Sequence, residues 1–284
     1  MMNLAMLEVM AGANFWDAPG HSMAGSNDLP TRTKIFSWIK TNERVLYAPR
    51  LPIDPIGVYF SPATRNFHAA DFPASYRGIL ILLMQTHRAF QIVTPRTLQS
   101  FSGPTLVMPD VSILDSDEKE GLRALLGRGM RLVVTGNDAT GIGASKQAIH
   151  LAECPGKKYS AILERDFEHA SPDSQESFLA TLAGGKTVHV DAGPHVATSV
   201  SRSADGKIHV FFSNCSGLLG GVSAVQQPQS GIIVEVESKS DGNGWFLPFM
   251  GEGQPVKGIR DHKVIRFSLP TIHKGGVFSF DQPN

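Results

Sequence analysis

Five carboxylates crowd the handover from an apolar run to a charged one in LVMPDVSILDSDEKEGLRALLGRG: Asp110, then Asp115, Asp117, Glu118 and Glu120. A carboxylate at the C-terminal end of a parallel strand borders the crevice where doubly wound sheets take their ligands. Two such groups can share general acid and base work. Asp110 and Glu118 are therefore candidate catalytic residues, although for Glu118, as for Asp117 and Glu120, the better reading is a helix start, where negative charge meets the positive end of the dipole. A second stretch, GANFWDAPGHSM, reads as the last strand of a catalytic barrel with its active-site loop attached. Barrel catalysts stand at the C-terminal ends of the strands, and that location holds Asp17 and His21.

Other chemistries lack their spacing. No GxSxG pentapeptide supplies a nucleophile elbow. AGGKT, residues 183 to 187, lacks the first glycine of a phosphate-binding loop and runs into a strand. GNDATGIGAS, residues 136 to 145, is glycine-rich after a strand, but its spacing is not GxGxxG, and a surface loop accounts for it. His189, Asp191 and His195 lie close together in HVDAGPH, yet no further ligand is specified by spacing, so no metal is expected. Cys154 sits beside a proline without an evident base, and Cys215 reads as a packed small residue. No cofactor is implied.

The elements that position these groups fall into three regions, 1–52, 53–185 and 186–284. In the first, Leu4, Leu7 and Met10 mark a helix, AGANFW a short strand, and residues 31 to 47 a helix stopped by Pro49 and Pro52. In the second, strands at IGVYFS, QIVT, 105–108 and MRLVVTG alternate with helices at 73–90 and 116–127. That alternation argues an α/β domain, a doubly wound parallel sheet covered on both faces. A polar, helix-prone stretch beginning at AECPGKK bridges to the third region. There the periodicity drops to two, an Asp-Gly turn in ADGK joins two strands, and seven or so strands make a β-sandwich.

Composition narrows the partners. The 284 residues are 42% hydrophobic and 18% charged, with Lys plus Arg equal to Asp plus Glu at 26 each. No basic field attracts nucleic acid or anionic lipid, and the longest apolar run, GILILLM, is far short of a membrane span. Two cysteines without a CxxC fit a reducing, cytoplasmic setting. The N-terminal apolar stretch carries Glu8 and no basic flank, so it reads as a helix feeding a strand and not as a cleaved leader.

The run from Leu106 to Gly136, with its strand ending in Pro-Asp, acidic-started helix, glycine break and strand ending in Thr-Gly, is similar to the trimerisation domain of glycoside hydrolase family 42 β-galactosidases. IGVYFSP resembles that domain's first strand, and KIHVFFSNCSG the strand of the family's C-terminal β-domain that ends in Asn. The resemblance implies the order of the family: a (β/α)8 barrel, of which residues 1–52 would be the last β-α unit, then a flavodoxin-like domain, then a β-domain. It implies a carbohydrate substrate or ligand and a homo-oligomer, a trimer foremost. The family's two catalytic glutamates lie on earlier barrel strands and carry over to no residue here. In a barrel, Asp17 would be catalytic, His21 would contact sugar, and Trp16 would stack on a pyranose face; in an isolated fragment the better reading is Trp16 as a core residue and Asp17 as a loop cap. Two functions follow, a glycosidase-related protein acting on or binding carbohydrate, or a noncatalytic oligomerisation and sugar-binding module.

Overall fold

Helix α1 (Met2–Met10) buries Ala5, Met6 and Val9 completely. The strand expected over AGANFW is not formed in its described part. The N–H groups of Ala11, Gly12 and Ala13 return to carbonyls of α1, Gly12 adopts φ +80°, and the chain runs on without regular pairing to Phe15. The structure is a computed structural model, and it describes residues 2–15, 28–68, 71–218, 225–239 and 242–281. Trp16, Asp17 and His21 lie outside the described residues. Asp28 caps α2 (Leu29–Thr41) by accepting from the Thr31 N–H at 3.0 Å, with Pro30 in the first turn. The single helix expected over 31–47 is two. Asn42 donates its side-chain amide to Trp38 O at 2.8 Å where α2 stops, and a short α3 (Glu43–Leu46) follows. Strand β1 (Arg50–Pro52) then begins with an arginine that holds the helices in place. Its guanidinium donates to Leu46 O at 2.6 Å and Val9 O at 2.7 Å and lies 4.1 Å from the centre of the Phe211 ring.

Residues Asp54–Lys186 form one compact unit. Its elements are β2 (Ile56–Tyr59), α4 (Pro62–Phe67), α5 (Asp71–Gln85), β3 (Phe90–Val93), β4 (Thr105–Pro109), α6 (Ser116–Gly127), β5 (Arg131–Thr135), β6 (Ala148–Leu151), α7 (Pro155–Arg165) and α8 (Glu176–Leu179). The five strands are all parallel, in the order β3-β2-β4-β5-β6. Neighbouring residues of β4 enter opposite cores, as strand geometry requires. Leu106 and Met108 meet Leu122, Leu125 and Leu126 of α6, while Val107 faces Ile79 and Leu82 of α5 and Tyr159 of α7. The segment expected to bridge two domains thus supplies α7 and α8 to this unit. Helices α5 and α7 touch through glycines: a Cβ on Gly78 would stand 1.9 Å from Gly156 O, and one on Gly156 2.0 Å from Ser75 O. The ends of the unit meet where Gly185 N–H donates to Asp54 O at 3.3 Å.

The second unit joins Met1–Ile53 to Thr187–Asn284. After β7 (Val188–Asp191), β8 (Val196–Ser203) and β9 (Ile208–Asn214) come β10 (Ile233–Glu237), β11 (Gly244–Pro248), β12 (Gln254–Val256), β13 (Gly258–Asp261), β14 (Val264–Ser268) and β15 (Gly275–Phe280). They form antiparallel sheets in the orders β1-β8-β9-β15-β11-β12 and β13-β14-β10-β7. The expected Asp-Gly turn closes β8 onto β9, with Gly206 at φ +87° and Ser203 N–H donating to Lys207 O at 2.9 Å. Phe267 of β14 packs on Phe278 and Phe280 of β15, ring centres 4.9 and 5.4 Å apart, so the apolar faces of the two sheets meet. The opposite face of the six-stranded sheet presents Phe211, Leu247 and Val277 to α1 and α2. The N-terminal helices therefore cover this sheet, and β1 extends its edge. In the middle of β9 the buried His209 links three strands, with Nε2 3.0 Å from Ser203 Oγ and Nδ1 2.9 Å from Ser279 Oγ.

Candidate functional site

The C-terminal edge of the parallel sheet holds the carboxylates singled out by spacing. Asp110 follows β4 directly, in the left-handed region at φ +54°. Its N–H donates to Thr135 O at 3.0 Å, and its carboxylate accepts from Ser75 Oγ of α5 at 3.2 Å. The side chain rests against Gly136 at φ +80°, where a Cβ would stand 2.4 Å from Asp110 Oδ1. Only glycine satisfies both the backbone angle and the close approach. Nearby, Thr135 Oγ1 is 3.5 Å from Cys154 Sγ, and Lys157 pairs with Asp71. That hydrogen bond holds the exposed Lys157 ammonium above the usual lysine range, with the charges of Asp110 and Cys154 adding to it. The strand-end cluster is thus Asp110, Ser75, Gly136, Cys154 and Lys157.

Glu118 belongs to a different set of contacts. It is the third residue of α6, and Asp115 is the N-cap. Glu118 N–H donates to Asp115 Oδ1 at 2.7 Å, Asp115 N–H donates back to Glu118 Oε2 at 2.7 Å, and the Tyr59 hydroxyl donates to Glu118 Oε1. This is a reciprocal capping box. Burial, then the Glu118 carboxylate, push the Tyr59 phenol well above its ordinary value, so it stays a donor. Both Glu118 oxygens are engaged and the side chain is buried. Among the described residues no hydrogen bond joins Glu118 to Asp110.

Strand order reverses between β2 and β4, which is where an open α/β sheet offers its crevice. Here the chain occupies that place itself. Ser61 Oγ donates to Ile113 O at 3.1 Å, and Thr64 Oγ1 accepts from the N–H groups of Ser112 and Ile113 at 3.2 and 3.1 Å. The glycine-rich loop after β5 is likewise closed on its own carboxylate: Asp138 accepts from Thr140 Oγ1 at 2.7 Å and Gly143 N–H at 2.8 Å. His189 and Asp191 alternate outward on β7, and no group of three or more His, Cys, Asp or Glu side chains able to hold a metal occurs among the described residues. Spacing alone missed Ser75 and Gly136. Gly136 had a signal, a glycine directly after an apolar strand, whereas Ser75 sits inside an amphipathic helix and had none.

No protein-family model matches the chain, and no curated protein matches it. Solved structures do. All of the chain superimposes on 57% of an α-L-fucosidase isoenzyme 2 from Paenibacillus thiaminolyticus, with a TM-score of 0.72 at 10% identity. A GH42 β-galactosidase, Gan42B from G. stearothermophilus, matches over 99% of this chain and 50% of its own, with a TM-score of 0.59 at 10% identity. The chain spans about half the length of these structures. At such identity the likeness is one of fold, an α/β arrangement with one parallel and two antiparallel sheets that also occurs within glycoside hydrolases. No helix among the described residues is long and apolar enough to cross a membrane.

Proposed function

We propose that the chain is a glycoside-hydrolase-related protein that binds carbohydrate and assembles with copies of itself, acting beside a catalytic barrel and not as a hydrolase on its own. The observation that carries this is the match of the entire chain to one portion of an α-L-fucosidase. The strand order of unit Asp54–Lys186, second-first-third-fourth-fifth, supports a flavodoxin-like assignment, and the facing antiparallel sheets support a β-sandwich beside it. A trimer is the expected assembly, cytoplasmic residence fits the free thiols of Cys154 and Cys215, and neither nucleic acid nor membrane is a partner.

Hydrolysis by the chain itself is the second reading, and Asp110, held in a strained backbone conformation at a strand end, is what favours it. A retaining mechanism needs a second carboxyl roughly 5 Å away. Glu118 is committed to its cap, which weighs against this pairing. Chromogenic aryl β-galactosides, β-glucosides and α-L-fucosides tested on the purified chain, with Asp110→Asn and Asp17→Asn beside it, separate the readings. No turnover, together with saturable binding of a neutral sugar and a trimer mass by light scattering, is the expected result. Turnover abolished by either substitution would install the hydrolytic reading instead, and a monomer that binds no sugar would remove both halves of the proposal.

A further inference from the structure

Beside the filled switch point, an open cleft of about 410 Å³ lies on the unit Asp54–Lys186. Phe60, the residue directly after β2, lines it together with Phe72 and Tyr76 of α5. The three rings brace one another. Phe60 meets Phe72 and Tyr76 edge-on at 5.8 and 5.3 Å, and Phe72 stacks on Tyr76 at 5.6 Å. Phe60 and Tyr76 are half-buried and Phe72 is buried, so the platform is made by the first two rings, held in place by the third. The volume falls within the range of small-molecule sites, which combine an apolar lining with few polar groups.

The polar groups here are unbalanced. Arg77 pairs with Glu164 at 2.6 Å, whereas Arg65, in the last turn of α4 and exposed, makes no side-chain hydrogen bond or ion pair among the described residues. The Tyr76 hydroxyl makes none either. Burial pushes that phenol up to about 12, so at neutral pH it remains a donor. Two guanidiniums against one carboxylate leave a single positive charge at the cleft. Glu164 on the same rim repels a dianion, so a carboxylate suits the site better than a phosphate, which carries nearly two charges. A planar guanidinium also grips a carboxylate through two parallel hydrogen bonds.

We propose that this cleft binds a six-membered ring bearing one carboxylate, with the ring on the aromatic platform and the carboxylate on Arg65. Two sources share that chemistry, uronic acids and aromatic acids. The proposal does not rest on the function proposed above, whose test reads a neutral sugar and the oligomer mass. Titration of the full chain with D-glucuronate, benzoate and glucose, followed by calorimetry and amide NMR shifts, tests it. One or both carboxylates bind saturably and move the amides of α4 and α5, and glucose leaves those amides unmoved. Arg65→Gln, with its circular dichroism unchanged, weakens that binding about tenfold or more, as loss of a charge-assisted hydrogen bond requires, and Tyr76→Phe weakens it less. Glucuronate binding assigns the cleft to acidic sugars, and benzoate binding alone assigns it to aromatic acids; either supports the proposal. Absence of saturable binding by both carboxylates, equal movement of the α4 and α5 amides by glucose, or an affinity untouched by Arg65→Gln overturns it.

Discussion

Glu118 joins the N-terminus of α6 to the hydroxyl of Tyr59, so its removal takes away a cap and leaves a buried phenol without its acceptor. Glu118→Ala is expected to lower unfolding free energy by about 2 kcal/mol in urea titration. Adding Tyr59→Phe to that variant should cost less than Tyr59→Phe costs alone, because the orphaned hydroxyl is already a liability; equal costs would show that the two residues are not coupled. His209 makes a prediction of a different kind. Burial holds its imidazole below the ordinary value, Arg50 and Lys207 push the same way, and Asp205 and Asp281 oppose them. The unfolded chain therefore takes up the proton first. Stability from this group is complete above the ordinary imidazole pKa of about 6.5 and falls as pH drops below it, levelling once the folded-state pKa is passed. The surface His169, raised by its hydrogen bond to Asp166, runs the other way. The difference in pH slope between the parent chain and His209→Gln, measured from about pH 7 to 5, isolates the buried group; identical slopes would mean that His209 does not titrate differently on folding.

At the scale of elements, the contact between α5 and α7 is set by two hydrogen atoms. A methyl at Gly78 or Gly156 meets a backbone carbonyl near 2 Å, 1.9 and 2.0 Å respectively, and a carbonyl in a helix cannot swing aside as a flexible side chain does. Gly78→Ala and Gly156→Ala should each destabilise by about 1–3 kcal/mol, despite the better helix propensity of alanine. A rise in melting temperature in either would refute this packing. The same contrast between local and distant causes explains what could be read in advance. Helix α6 was legible because Asp117, Glu118 and Glu120 crowd its start, where the structure adds a capping box between Asp115 and Glu118. Strands β2, β4 and β5 were legible as unbroken apolar runs because both of their faces are buried. Strand β6 was not, since its half-exposed AIHL lacks either signature, nor was β11, which starts at Gly244 and stops at Pro248. The apolar content of AGANFW suggested a strand, but Phe15 spends it on Phe36 of α2, 5.2 Å away. At the strand-end site, Asp110 was legible from its place after an apolar run. Its left-handed backbone and its partner Ser75 were not, because both depend on elements far apart in the chain. The aromatic cleft needs β2, α4, α5 and α7 together and leaves no spacing to find.

The whole chain alternates between units, since Asp54–Lys186 is enclosed by the two segments of the other. With its ends hydrogen-bonded at Asp54 and Gly185, the enclosed unit should fold alone. Residues 54–186 expressed separately are expected to give one cooperative urea transition, whereas 187–284 alone should not, because Phe211, Leu247 and Val277 lose the helices that cover them and β8 loses β1. Folding of 187–284 by itself would show those helices to be dispensable. The pairing of α1 with β15, where Met6 approaches Gly275 and shares a core with Val277, also sets an order of events during synthesis. Helix α1 is made before the unit Asp54–Lys186 and meets β15 only after that unit has been synthesised. Until then the face of α1 that packs on Phe211 and Val277 stays uncovered while the unit between the two segments completes itself, so the pairing closes a contact between residues far apart in sequence.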